Sequence, residues 1–178
     1  YFILTKNTLP QMNASIEKFL AGIKRKHEFE LEAYQAKSGQ HEKTSIINIE
    51  PRAEIRAWSF TPIKWSPEEA VKVSITRNLA EKYLKNTLRD QEQGIYRMKV
   101  NSTLNDQNQR IETEVSYTAS PDRVNELWQK TQQILKQLPK LISDHDVLEQ
   151  RQNFERSEAQ RVQDIYTLQK RLQLSYEH

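Results

Sequence analysis

Two Ser-Pro helix starts bracket the middle of this 178-residue chain, and what lies between them fixes most of the fold. At the first, Ser66 is placed to cap a helix, and Pro67 takes the first helical position, where its missing N–H costs nothing. Glu69 follows three residues after the cap, the spacing of a capping box. Val71, Ile75, Leu79 and Leu84 then recur as a helical stripe that needs covering. Gly94 breaks or follows the helix end. "IYRMKVNSTL" and "RIETEVSYT" alternate apolar and polar residues at period two around the polar "NDQNQ", which predicts a β-hairpin. The second start, Ser120-Pro121, opens a helix carried by Leu127, Ile134 and Leu138 and stopped by Pro139.

Outward from this centre, "YFILT" reads as a strand, and Met12, Ile16, Phe19, Leu20 and Ile23 mark a helix after Pro10. Residues 24–43 lack apolar periodicity and read as a connection. "TSIINIE" (44–50) and "AEIRAWSF" (53–60) read as strands. The second has Ile55, Ala57 and Ser59 on one face and Arg56, Trp58 and Phe60 on the other, so its sheet is covered on one side and partly on the other. From Ser143 onward one long polar helix is expected. The order predicts an α+β fold, a mixed, mostly antiparallel sheet covered by helices on one face. The expected division is a strand–helix piece with its connection, 1–43, and an α+β domain, 44–178, the two compatible with one compact unit. A chain that opens inside an apparent strand also reads as a piece of something longer.

Several functions are disfavoured. Net charge is +3 with the signs interspersed, so no basic stripe for nucleic acid is visible. No apolar run is long enough to span a membrane. Cysteine is absent, which removes disulfides and thiolate metal sites. The four histidines form no metal-binding pair or triad, so no metal site is expected in the chain. The three glycines are isolated, so no phosphate loop exists. The acidic clusters "SPEE" and "SDHD" are explained by helix capping and the helix dipole.

What remains is "LRDQEQGIY", with Arg89 near a helix end and Tyr96 at a strand start. By spacing alone these are a solvated helix-end arginine and a half-buried strand tyrosine. However, "TLRDQEQGIY" resembles a motif of the pitrilysin-type zinc metallopeptidases: Leu-Arg, an acidic or Gln-rich stretch, Gly, then Tyr, here Leu88, Arg89, Gly94 and Tyr96. The similarity extends through the hairpin, the second Ser-Pro helix and the long last helix, in the order of that family's C-terminal domain. Within the family the chain is most similar to the bacterial PqqL-like peptidases, a periplasmic group.

The resemblance implies the fold of the pitrilysin and mitochondrial processing peptidase domain. It also implies a role: the C-terminal, non-zinc-binding portion of a zinc metalloendopeptidase, which encloses unfolded peptide and helps stabilise the transition state. Arg89 and Tyr96 would bind substrate, with Tyr96 also stabilising the oxyanion. Zinc would be held by the N-terminal half of the same protein, because the family's inverted zinc motif is absent here. That half and the peptide are the implied partners, and this chain alone would be inactive. The alternative is a non-catalytic interaction or structural module of the same fold. An extended substrate adding to a sheet edge is a further expectation.

Overall fold

The computed structural model describes residues 5, 7–24, 35–45, 51–91, 95–162 and 164–177. The chain divides into two compact units, Ala33–Phe154 and Tyr1–Glu32 with Glu155–His178.

The larger unit holds a three-stranded antiparallel sheet in the order β1 (Ala53–Pro62), β3 (Arg110–Ala119), β2 (Ile95–Asn105). β2 and β3 form the predicted hairpin. At its turn Asn105 Oδ1 accepts from the amides of Gln107 (3.0 Å) and Asn108 (2.9 Å), and Gln109 takes a left-handed φ of 48°. Gln109 also anchors the chain entering the next helix. Its carbonyl accepts from Ile63 N (3.0 Å) and its side-chain oxygen from Trp65 N (2.7 Å).

Helix α2 (Pro67–Leu84) starts where predicted, with Ser66 Oγ accepting from Glu69 N at 3.1 Å. The reciprocal half of the capping box is not made: the Glu69 carboxylate pairs with Lys72 (2.9 Å) instead. Helix α3 (Val124–Leu141) begins after a single 3-10 turn, Pro121–Arg123, and Ser120 makes no side-chain cap bond. Both helices cover one face of the sheet. Ala80, Leu84, Leu127, Ile134 and Leu138 meet Met98, Val100, Val115, Tyr117 and Ala119 there. Thr131, fully buried among them, donates to the Leu127 carbonyl (2.8 Å) and lies 3.2 Å from the Tyr117 hydroxyl. Burial raises the Tyr117 phenol above its ordinary pKa, an effect that the Thr131 contact moderates.

The two sheet edges differ. Along β2, Glu81 of α2 accepts the outward Val100 amide (3.2 Å) and pairs with Lys85, which blunts that edge. Burial pushes the Glu81 carboxyl up, but Lys85 and the Val100 amide outweigh it and hold the group below the usual range. Along β1 no further strand pairs among the described residues. The uncovered face carries Trp58, 58% exposed, and Phe60, with the Arg110 guanidinium 4.6 Å above the Phe60 ring.

The structure departs from the sequence expectations at three further places. Val71 and Ile75 are only half-buried; the covered stripe of α2 runs through Val73, Leu79, Ala80 and Leu84. Pro139 does not stop α3: it lacks the amide that would bond the Leu135 carbonyl, but buried Leu138 holds the turn in the core and the helix continues to Leu141, closed by the Ile142 amide on the Leu138 carbonyl (3.1 Å). The expected single last helix is two, α4 (Asp144–Arg161) and α5 (Ile165–Glu177). Asp164 supplies the second cap, its Oδ2 accepting from Thr167 N (3.0 Å) and Thr167 Oγ1 (2.7 Å). The expected strands at 1–5 and 44–50 fall almost wholly outside the described residues, as does Gly94.

In the smaller unit, Gln11 Oε1 accepts from the Thr8 amide at 3.0 Å, reaching back over the first turn of α1 (Leu9–Phe19). α5 is tied to the end of α4 by the Arg171–Glu158 ion pair. The apolar stripe of α1 is not buried among the described residues: Phe19 and Ile23 are exposed.

Candidate functional site

The sequence-predicted pair sits where α2 hands over to β2. The last turn of the helix, Lys85–Gln91, is π-helical, with i→i+5 bonding that fits one more residue per turn. Leu88 within it is fully buried, and the next residue, Arg89, is exposed. At the strand start, Ile95 and Met98 both face the core, leaving Tyr96 and Arg97 exposed between them. The β2–β3 register explains this. It slips between Ile95 and Arg97, a bulge that shifts the alternation by one residue and expels Tyr96 from the core side.

Tyr96 is therefore not the half-buried strand residue that alternation alone predicts. It is 63% exposed. Neither the Tyr96 nor the Arg89 side chain makes a hydrogen bond or ion pair among the described residues, and none joins the two directly. What does meet Tyr96 is Arg52, whose guanidinium carbon lies 5.7 Å from the ring centroid. Sequence reasoning misses Arg52. Its only signal there is its place after Pro51, one residue before β1.

The densest ionic cluster lies elsewhere and is structural. Asp146 in the first turn of α4 accepts from Ser143 N (2.9 Å), Ser143 Oγ (2.6 Å), Lys82 Nζ (2.9 Å) and Tyr83 Oη (2.8 Å). The Ser143 bonds, then Lys82 and Tyr83, hold its carboxyl well below the usual carboxylate range. A carboxylate engaged by four donors ties α4 to α2 and is committed to holding the fold. Capping of the helix start by "SDHD" covers half of this arrangement; the link to Lys82 and Tyr83 has no sequence signal.

Among the described residues no group of three or more His, Cys, Asp or Glu side chains could hold a metal. The donors of the described residues do not fit a zinc site, which needs at least three protein ligands. No helix of the described residues is long and apolar enough to cross a membrane. A cleft of about 1600 Å³ opens beside β1 between sheet and helices, lined by Ile55, Ala57, Trp128 and Leu135; Arg89 and Tyr96 are not part of it.

The fold and this helix-to-strand corner define an α+β domain, a three-stranded antiparallel sheet with helices on one face. The chain is 49% identical, over 98% of its length and with a TM-score of 0.90, to the ferredoxin protease FusC, solved as a mutant in complex with Arabidopsis ferredoxin. It also shares its fold with the periplasmic protease PqqL from Escherichia coli, at 21% identity over 69% of the chain and a TM-score of 0.64. The chain is thus similar to two pitrilysin-type zinc peptidases, the family that its "TLRDQEQGIY" motif resembles. It spans 20% of the FusC chain and 14% of the PqqL chain. No family model and no curated protein matches the sequence.

Proposed function

We propose that this chain is the C-terminal, non-zinc-binding portion of a zinc metalloendopeptidase, working on unfolded peptide held between it and a zinc-bearing N-terminal half. The observation that carries the reading is Tyr96: a phenol expelled from the core by a bulge, its hydroxyl uncommitted among the described residues. A tyrosine hydroxyl is a neutral donor suited to the oxyanion of a tetrahedral intermediate. Arg89 offers a fixed fork of donors to the substrate backbone. Zinc, bound by the other half, would polarise the scissile carbonyl and activate water. The ferredoxin complex of FusC supports a protein or peptide substrate. The same reading extends to a periplasmic location, the location of PqqL. In it residues 44–178 are the family domain, 1–43 the piece before it, and the chain by itself hydrolyses nothing.

The test is Tyr96→Phe in the intact enzyme, the chain joined to its zinc-bearing half. The variant deletes one donor and keeps the ring. kcat on an unstructured peptide should fall by about 10²–10³, with little change in KM. Arg89→Ala should raise KM along with any fall in kcat, because a backbone grip acts in the ground state too. A folded Tyr96→Phe enzyme with wild-type kcat removes the catalytic role and leaves the interaction-module alternative.

A further inference from the structure

We infer that Arg52 is a positioning residue for Tyr96, an inference that rests on the catalytic reading of that tyrosine. Both lie at one end of the sheet, flanking the central strand. Ala53 and Ile95 pair with the same residue of β3, Ala119, from opposite sides. Arg52 immediately precedes the first of these and Tyr96 immediately follows the second. The guanidinium spans the end of β3 and lies over the ring, 5.7 Å from its centroid, inside the range of a cation–π contact.

The need for such a partner follows from the bulge. A tyrosine in regular alternation is fixed by cross-strand neighbours on its own face. Tyr96 occupies the extra position of the bulge, which has no residue opposite it in the register, and it is largely exposed. Its backbone is anchored by buried Ile95, but its ring direction is left open. Arg52 supplies the missing wall: a flat cation over one ring face restricts rotation and fixes where the hydroxyl points. Misplacement of a reacting group by about 1 Å costs up to roughly 10²-fold in rate, so this restriction matters to a donor aimed at a transition state.

The experiment is a double-mutant cycle in the intact enzyme, with an unstructured quenched-fluorescence peptide as substrate. Arg52→Met keeps the length and removes the charge. kcat should fall on the order of tenfold. That lies above the roughly two- to fivefold worth of an exposed cation–π contact and below the ceiling of about 10²–10³ set by the hydroxyl. KM should stay within about twofold. Arg52→Lys, which keeps a cation able to sit over the ring, should recover most of the loss. In a Tyr96→Phe background, Arg52→Met should change kcat by less than about twofold, since no hydroxyl remains to be aimed. Wild-type kcat in Arg52→Met, a rise in KM, or a loss that persists in full in the Tyr96→Phe background each overturns the positioning role. The last two would make Arg52 a direct substrate contact. If Tyr96→Phe alone leaves kcat unchanged, the catalytic reading of Tyr96 fails and the positioning role falls with it. If Tyr96→Phe is impaired but the two losses multiply independently, only the positioning role fails.

Discussion

Leu88 and Arg89 are neighbours in one π-helical turn, yet they should respond oppositely to truncation. Leu88 has no exposed surface and belongs to the core cluster with Leu84, Ile95 and Leu127. Truncation to alanine removes its transfer free energy and leaves a cavity, because helix, sheet and α3 close round it from several sides. For fully buried leucines this costs about 2.7–5.0 kcal/mol. For a unit of this size that is a fall in melting temperature on the order of 10 °C. Arg89 is exposed and holds no partner in the fold among the described residues, so Arg89→Ala should stay within about 0.5 kcal/mol of wild type. The assay is urea unfolding of the purified chain followed by far-UV circular dichroism. The Leu88→Ala midpoint should drop with an unchanged slope, and the Arg89→Ala midpoint should not move. A Leu88→Ala protein as stable as wild type would mean that the π turn is not anchored through Leu88. An Arg89→Ala protein destabilised by more than about 1 kcal/mol would mean that Arg89 serves the fold rather than a substrate.

Two further stability predictions concern buried polar groups. The folded pKa of Asp146 is depressed, so its contribution is fully present above its unfolded value, near pH 3.9, and is lost as pH falls toward the folded value. The wild-type melting temperature should therefore decline below about pH 4. Asp146→Asn should melt lower at neutral pH and show a shallower acid decline; equal acid slopes would dissociate Asp146 from that transition. Thr131→Val strands the Tyr117 hydroxyl in the core and should cost about 1–3 kcal/mol by chemical denaturation. Adding Tyr117→Phe should recover part of that loss, and strictly additive losses would show the two hydroxyls to be uncoupled.

The hairpin, α2 and the sheet-facing residues of α3 are legible in the sequence because each carries its signal locally. Alternation at period two sets β2 and β3, Ser66-Pro67 sets the start of α2, and Leu127, Ile134 and Leu138 set the buried face of α3. Signals that depend on what lies opposite are not legible. Val71 and Ile75 repeat at helical spacing as well as Ala80 and Leu84 do, but only the latter face the hairpin. The break between α4 and α5 rests on Asp164, an acidic residue in a segment full of polar ones, so its capping role does not stand out. Lys82 and Asp146 are far apart in the chain, and no periodicity links them.

The candidate site shows the same division. The resemblance to the peptidase motif selects Arg89 and Tyr96, but spacing alone makes Tyr96 a half-buried strand residue. The bulge reverses that assignment, since one inserted residue moves Tyr96 from the alternating pattern to the exposed side. Each member of the pair directly follows a buried anchor in its own segment, Arg89 after Leu88 and Tyr96 after Ile95. A side chain carried one residue beyond a packed one has a fixed origin and a free tip. That suits a group that must wait, uncommitted, for a ligand. It also explains why such a site leaves little trace in composition: its precision comes from ordinary leucine and isoleucine packing beneath it. Arg52 would complete the arrangement from the other side of β3, through a contact that depends wholly on strand order and so has no signature in the sequence.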